Sequence, residues 1–311
     1  MKKKILFTGG GGAATEFLWR YLSSRYEVYF ADADLNAIDD KIPEENKVKI
    51  PFANQNDFIE VLAQQVTELA IDILIPSVDE ELIIVGENLN KFTAKVLLPE
   101  VEFIRSMLDK LTSIEAIAGK GLVHPKTFLV NNSKLISFPQ IIKPRTGRGS
   151  RGVSILNNSQ EVQAYMVLNQ AEPDEIISQE LATGVEYTVL IAANMNSELK
   201  AIVPVKIEQK KGITIRAKTE QESKVIAYCR EFQNKFKATG VYNLQCILTE
   251  NGQVIPFEIN PRISTTFCLG IAAGFDPFDI LFDDKNNSEI FYPKSTFTLK
   301  RNWHNNITEV K

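Results

Sequence analysis

Ile141-Ile142-Lys143-Pro144-Arg145-Thr146-Gly147-Arg148-Gly149-Ser150-Arg151-Gly152-Val153 is the most informative stretch of the 311 residues. Residues 140–143 read as an apolar strand that delivers Lys143 at a fixed place, and Pro144, which has no N–H to give, stops the ladder. A flexible glycine loop follows. Glycines let backbone N–H groups close over phosphate oxygens, and Arg145, Arg148 and Arg151 add positive charge there. This is not the Walker loop, because no Gly-Lys-Ser/Thr follows. The plainer reading is a solvated basic turn, which the density of lysine, arginine and glycine makes the weaker one.

Val254-Ile255-Pro256-Phe257-Glu258-Ile259-Asn260-Pro261-Arg262 is the second informative stretch. Alternate residues of a strand share a face, so Glu258 and Asn260 point together and Arg262 follows. A carboxylate and an amide carbonyl are hard oxygen donors suited to Mg²⁺, which is held by few protein groups and by substrate phosphates. Gln245, on the preceding strand of an expected hairpin, adds a third oxygen. An arginine two positions on can neutralise a phosphoryl group in flight. A polar strand end with a solvated Glu258 is the bland alternative.

Outward from these, the first third alternates strands and helices. Strands are expected at residues 5–8, 27–31 and 71–75, and helical spacing covers 15–22 and 57–69. That order implies a doubly wound parallel sheet, which binds ligands at the carboxyl ends of its strands, near Asp32 and Asp79. Gly9-Gly10-Gly11-Gly12-Ala13-Ala14 satisfies the G-x-G-x-x-A dinucleotide fingerprint, with Asp32 at about the right distance for a ribose hydroxyl. Taken alone it supports a nicotinamide-dependent oxidoreductase, or merely a tight turn. Beyond residue 100 a helix is expected over 103–119, strands at 140–143 and 175–181, and a helix at 160–169 between them. Strands then dominate at 187–192, 200–206, 242–249 and 253–258, interrupted by a helix at 220–238. A last strand is expected around Trp303. The chain is α/β first, then α+β.

A net charge of −4 argues against a nucleic-acid footprint. Cys229, Cys246 and Cys268 lie in no metal-like spacing and read as buried thiols. The apolar run after Lys4 ends at glycines, short of the about 7–15 residues of a signal peptide, and no segment reaches the roughly 18 of a membrane span. A cytoplasmic protein is expected, with no membrane partner.

The two motifs, about 110 residues apart and in this order, resemble the ATP-grasp superfamily, and within it single-unit ligases similar to the synthetase halves of carbamoyl-phosphate synthase large subunits. The resemblance covers nearly the whole chain. It implies a Rossmann-like pre-ATP-grasp domain at 1–104, a small lobe with a glycine-rich lid at 105–182, and a large lobe carrying metal and catalytic residues at 183–311. The nucleotide would meet Lys110, Lys143, Arg145, Gly147, Gly149, Ser150, Gly152, Glu180, Leu181 and Glu186. Within that set Glu180 and the Leu181 backbone would read the adenine edge, and Glu186 the ribose hydroxyls. Glu258 would bridge two Mg²⁺ ions (or Mn²⁺) with Gln245 and Asn260 as further ligands, and Arg262 would act with Lys143 at the transferring phosphoryl group. Asp109-Lys110 stands where the synthase often has Asp-Arg, which keeps charge and loses a bidentate grip. The front glycine loop also occurs in this family without any nicotinamide.

The implied activity is ATP- and Mg²⁺-dependent joining of a small-molecule carboxylate to an amine through an acyl phosphate, releasing ADP and phosphate. A carbamoyl-phosphate-type enzyme using the same ATP site is the alternative, and a homodimer is left open. Lys206, Lys210, Lys211 and Arg216 fall where the family places acceptor contacts, Arg216 being the choice for a substrate carboxylate or phosphate. Asp79, Glu80 and Glu81 either grip a substrate amine or cap the next helix. His124 and His304 have no partner that would make either a base.

Overall fold

The computed structural model describes residues 2–281 and 289–302. Its first sheet is built from β1 (Lys4–Thr8), β2 (Glu27–Asp32), β3 (Lys47–Lys49), β4 (Ile73–Ile75) and β5 (Lys95–Val96), all parallel, in the order β3-β2-β1-β4-β5. The apolar strands are buried on both faces, as crossover helices require. Helix α1 (Thr15–Leu22) turns Leu18 and Leu22 inward on one face. Helices α2 (Phe58–Glu68) and α3 (Leu82–Glu87) cover the other with Phe58, Leu62, Val66 and Leu82. The strand order reverses between β1 and β4, so the crevice for a ligand lies at their carboxyl ends.

The single helix expected over 103–119 is two: α4 (Val101–Leu108) and α5 (Lys110–Gly119). Asp109 leaves helical backbone (φ −92°, ψ 119°), and its carboxylate caps α5 by accepting from the N–H of Leu111 and Thr112. A four-stranded sheet follows: β6 (Thr127–Leu129), β7 (Gln140–Pro144), β8 (Ser154–Leu156) and β9 (Ile176–Glu180), in the order β6-β9-β7-β8, backed by α6 (Ser159–Leu168). Pro144 is the last residue of β7, paired with Ile176.

The third sheet has six antiparallel strands in the order β14-β13-β10-β11-β12-β15. They are β10 (Gly184–Ala193), β11 (Leu199–Lys211), β12 (Ile213–Thr219), β13 (Gly240–Thr249), β14 (Val254–Asn260) and β15 (Thr298–Lys300). One face packs on α4, α5 and α7 (Ser223–Phe236) through Phe103, Ile117, Phe232 and Tyr242. The other face shares an apolar core with the first sheet, bridged by Phe267 of α8 (Phe267–Ala272) and by Phe275 and Phe278. The last strand ends at Lys300, and Trp303 and His304 lie outside the described residues. The short β3, β5 and β8 and the whole of β12 were absent from the sequence reading. No helix among the described residues is long and apolar enough to cross a membrane.

Candidate functional site

Two cavities meet in front of the six-stranded sheet. The smaller, of 300 Å³, lies between it and the four-stranded sheet. Ile141, Ile247, Ile255 and Phe257 give it an apolar floor, and Glu180, Leu181 and Ala182 form one rim. The larger, of 710 Å³, opens toward the first sheet, lined by the front glycine loop, residues 50–53, Ser77, Val78, Glu81, Asn260, Arg262 and Thr214. Glu258, Lys210, Arg148, Ser150 and Arg151 line both, so the cavities communicate at those five side chains.

Lys143 stands at the back of the smaller cavity with only 4% of its surface exposed. Its ammonium donates to Gln179 Oε1 at 2.9 Å and to the Phe257 carbonyl at 3.2 Å. Burial pushes its pKa down to about 8, against the pull of Glu258 and with the help of Lys110 and Lys210. That carbonyl is available because β13 and β14 are out of step. Gln245 faces Glu258 and Cys246 faces Pro256, which leaves Phe257 as the extra residue of a bulge. The bulge turns both the Phe257 ring and the Glu258 carboxylate to the cavity side, with the Lys143 and Lys210 ammonium groups 5.7 and 5.9 Å from the ring centroid.

Three lysines therefore gather around the slot, Lys110 beside Glu258 and Lys210 beside Glu186. Lys110 Nζ lies 3.5 Å from Glu258 and donates to the Gly147 carbonyl at 2.8 Å. Lys210 donates to Glu186 at 2.8 Å and to Gln245 Oε1 at 3.2 Å. Such a surplus of cation around a half-buried pocket is matched to the oxygens of a polyphosphate. Among the described residues no group of three or more His, Cys, Asp and Glu could hold a metal by itself. Glu258 and Gln245, paired across the hairpin, and Asn260, two residues on, form an all-oxygen set with a single charge. That suits Mg²⁺, which takes its remaining ligands from phosphates and water.

The other nominated residues divide. Gly147, Ser150, Glu180, Leu181 and Glu186 line the smaller cavity, Gly149 and Asp79's partner Arg262 the larger. Gly152 anchors the loop, its carbonyl taking the Tyr165 hydroxyl at 2.6 Å. Arg145 is turned away: it pairs with Asp109 at 2.9 Å, donates to the Asp174 carbonyl and lines neither cavity. Arg216 is exposed on β12, opposite Gln209 and Lys300, and also lines neither. Its neighbour Thr214 reaches the cleft instead. Asp79 does not cap α3; it ion-pairs with Arg262, whose Nη1 donates to the Ile263 carbonyl. Glu81, buried, holds the turn before the helix, and Glu80 pairs loosely with Arg148 at 3.5 Å. Lys206 faces Glu220 at 3.8 Å. His124 bonds the Leu122 carbonyl in its own turn. All three cysteines are buried, and burial pushes their thiol pKa values up, so none is a reactive thiolate.

The front glycine loop lines the larger cavity and is closely packed behind. A Cβ on Gly11 would come within 2.8 Å of Ala37, and one on Gly10 within 3.0 Å of Ile38. Each oxygen of Asp32 accepts one backbone bond, from Gly11 N and Asp34 N at 2.9 Å each. The carboxylate that would hold a nicotinamide ribose is thus tied to its own loop by one bond at each oxygen.

A lysine-rich, apolar-floored slot between two sheets, with a glycine loop at its mouth, is the arrangement of a nucleotide-dependent class of protein. The model of the ATP-grasp domain family matches residues 107–266, more than half of the chain, and the chain belongs to that family as an ATP-grasp ligase. No curated protein matches it. Among solved structures, N5-carboxyaminoimidazole synthase from Aspergillus clavatus, in complex with ADP and 5-aminoimidazole ribonucleotide, is 16% identical, with a TM-score of 0.73 over 96% of this chain and 81% of that one. Biotin carboxylase from Campylobacter jejuni is 14% identical, with a TM-score of 0.66 over 90% of this chain and 70% of its own. L-amino acid ligase from Bacillus licheniformis is 14% identical, with a TM-score of 0.64 over 86% and 69% respectively. At these identities the likeness concerns the fold.

Proposed function

We propose that the protein joins a carboxylate to an amine through an acyl phosphate, using ATP with Mg²⁺ and releasing ADP and phosphate. The observation that carries this reading is the junction of the two cavities. A nucleotide in the 300 Å³ slot would present its terminal phosphate where Glu258, Lys210 and Arg148 also line the 710 Å³ cleft. A carboxylate seated in that cleft would then face the phosphorus.

A free carboxylate is a poor acyl donor because its leaving group would be oxide; phosphorylation replaces that with phosphate. The step needs positioning and charge neutralisation rather than covalent help from the protein. Lys110 and Lys143 would hold the inner phosphates, Glu180 and the Leu181 backbone the adenine, and Glu186 the ribose. Glu258, Gln245 and Asn260 would hold Mg²⁺, which supplies charge neutralisation across the phosphates. Arg262, once released from Asp79, would meet the transferring group. The loop over 145–152 would exclude water until the amine attacks. The division into 1–104, 105–182 and 183–311 belongs to this same proposal.

A screen of pooled carboxylates and amines with Mg²⁺-ATP, followed by ADP release and product mass, tests the reading. Hydroxylamine in place of the amine should trap a hydroxamate, and heavy oxygen from the carboxylate should appear in the released phosphate. Glu258→Gln should fold and lose most turnover. AMP as the product would refute the mechanism.

A further inference from the structure

Glu81 is only 2% exposed, yet it lines the 710 Å³ cleft. It sits at the switch point of the first sheet, just beyond the carboxyl ends of β1 and β4, where the strand order reverses. One carboxylate oxygen, Oε1, accepts from three donors: the Thr8 hydroxyl, Ser77 N at 2.8 Å and Val78 N at 2.9 Å. Those bonds fix the side chain and complete the structural task. The second oxygen, Oε2, receives none of them. Since no buried side-chain polar atom among the described residues is without a partner, Oε2 keeps a little accessible surface, on a residue that lines the cleft.

The other acids lining the cleft are engaged: Asp32 accepts from two backbone N–H groups and Glu258 faces Lys110 at the phosphate junction, while Asp79, which lines neither cavity, is paired with Arg262. The cations that line the cleft with Glu81 are Arg148, Arg151, Lys210 and Arg262, and Arg262 is the one whose charge acts on Glu81. Beside the glycine loop the wall is apolar: Ile50, Pro51, Phe52 and Ala53, with the Phe52 ring 63% exposed. A bare, pre-oriented carboxylate oxygen at one point and an apolar wall at another suit a ligand with a cationic head and a hydrophobic body.

We infer that Glu81 is the amine-binding residue of the cleft, its Oε2 accepting from the ammonium of a primary amine whose apolar body lies on residues 50–53. That the amine is a reactant rests on the ligase reading; that it binds here does not. Burial raises the Glu81 pKa to about 7, against its bonds to Thr8, Val78 and Ser77 and the charge of Arg262. An ammonium binds the ionised form, so affinity is full above that value and falls as pH drops through it.

The test uses the full-length chain and 2-phenylethylamine as probe, with 2-phenylethanol and 3-phenylpropanoate as uncharged and anionic counterparts, titrated by NMR. The amine should bind at least about ten-fold more tightly than either counterpart, and its affinity should fall about ten-fold from pH 8.5 to pH 6. Glu81→Gln keeps an acceptor for the backbone donors, and should abolish both the preference and the pH dependence; Phe52→Ala should weaken binding without flattening the pH profile. Equal binding of amine and alcohol, tighter binding of the carboxylate, or a flat wild-type profile would overturn the inference, and the last needs no variant to fold. A thermal shift with ADP, run on both proteins, reads the nucleotide site separately: its absence would sink the ligase reading and leave this one standing.

Discussion

Lys143 carries its charge where water scarcely reaches, and the fold is strained by it. Its pKa falls from an ordinary 10.5 to about 8, so below pH 8 the folded protein holds a charge that the unfolded chain would solvate freely. The penalty is about 3 kcal/mol at most, full below the folded value and fading as pH rises toward the unfolded one. Lys143→Met should therefore melt higher than the native protein at pH 7, with the advantage shrinking toward pH 10. The same variant should show no stabilisation by ATP. A variant both less stable at pH 7 and still responsive to ATP would place the lysine among structural residues. At this scale the sequence was partly legible. Lys143, Glu258, Asn260 and Gln245 could be nominated from their residue types on expected strands, whereas the bulge at Phe257 that turns Glu258 to the cavity could not be read. Lys210 could not be singled out, because its orientation depends on bulges in the pairing of β11 with β12. Arg145 and Arg216 had suitable chemistry and the wrong direction, since Asp109 draws one aside and the β12 face exposes the other.

Two glycines separate the loop's conformational demand from the sheet's steric one. Gly149 adopts φ +70° with nothing near the place of a Cβ, so alanine there meets no clash but resists the left-handed backbone. The cost, about 1 kcal/mol, is confined to the loop, so Gly149→Ala should weaken ATP binding about five-fold and leave the ligand-free melting temperature nearly unchanged. Gly184, at the start of β10, has φ +151° and a Cβ position 2.1 Å from the Leu248 carbonyl oxygen. Gly184→Ala should lower the melting temperature by several degrees, because the backbone of β13 has nowhere to go. Calorimetry beside ATP titration distinguishes the two signatures, and identical behaviour would mean the loop is not a separate element. Most elements were readable from period and punctuation. The break at Asp109 was not, because an aspartate inside a helical pattern becomes a cap only when the next turn changes direction. β12 was missed because its Arg, Lys and Thr residues read as a basic patch until pairing gave them a strand partner on each side.

For the whole molecule, the decisive question is which nucleotide the fold admits, since two loops compete for the role. The first sheet is joined to the rest by a shared apolar core, by Arg25 and Tyr26 on Asp276 at 2.7 Å each, and by the Asp79–Arg262 pair. A ligand that bridges the cavities should therefore stabilise the chain as a unit rather than one lobe. Read alone, the front glycines favour a dinucleotide. Their packing against Ala37 and Ile38 and the backbone bonds of Asp32 are tertiary facts that no short motif encodes. Binding to the native state alone adds about 2.7 kcal/mol at a ligand concentration of 100 times Kd. For a chain of this size that is a rise of a few degrees in the melting temperature. Mg²⁺-ATP should produce that rise, in a single cooperative transition, while NAD(H) and NADP(H) at the same concentrations should produce none. Scanning calorimetry with each ligand decides it. A shift with a dinucleotide and none with ATP would return the binding site to the first sheet and leave the lysine-lined slot without its nucleotide.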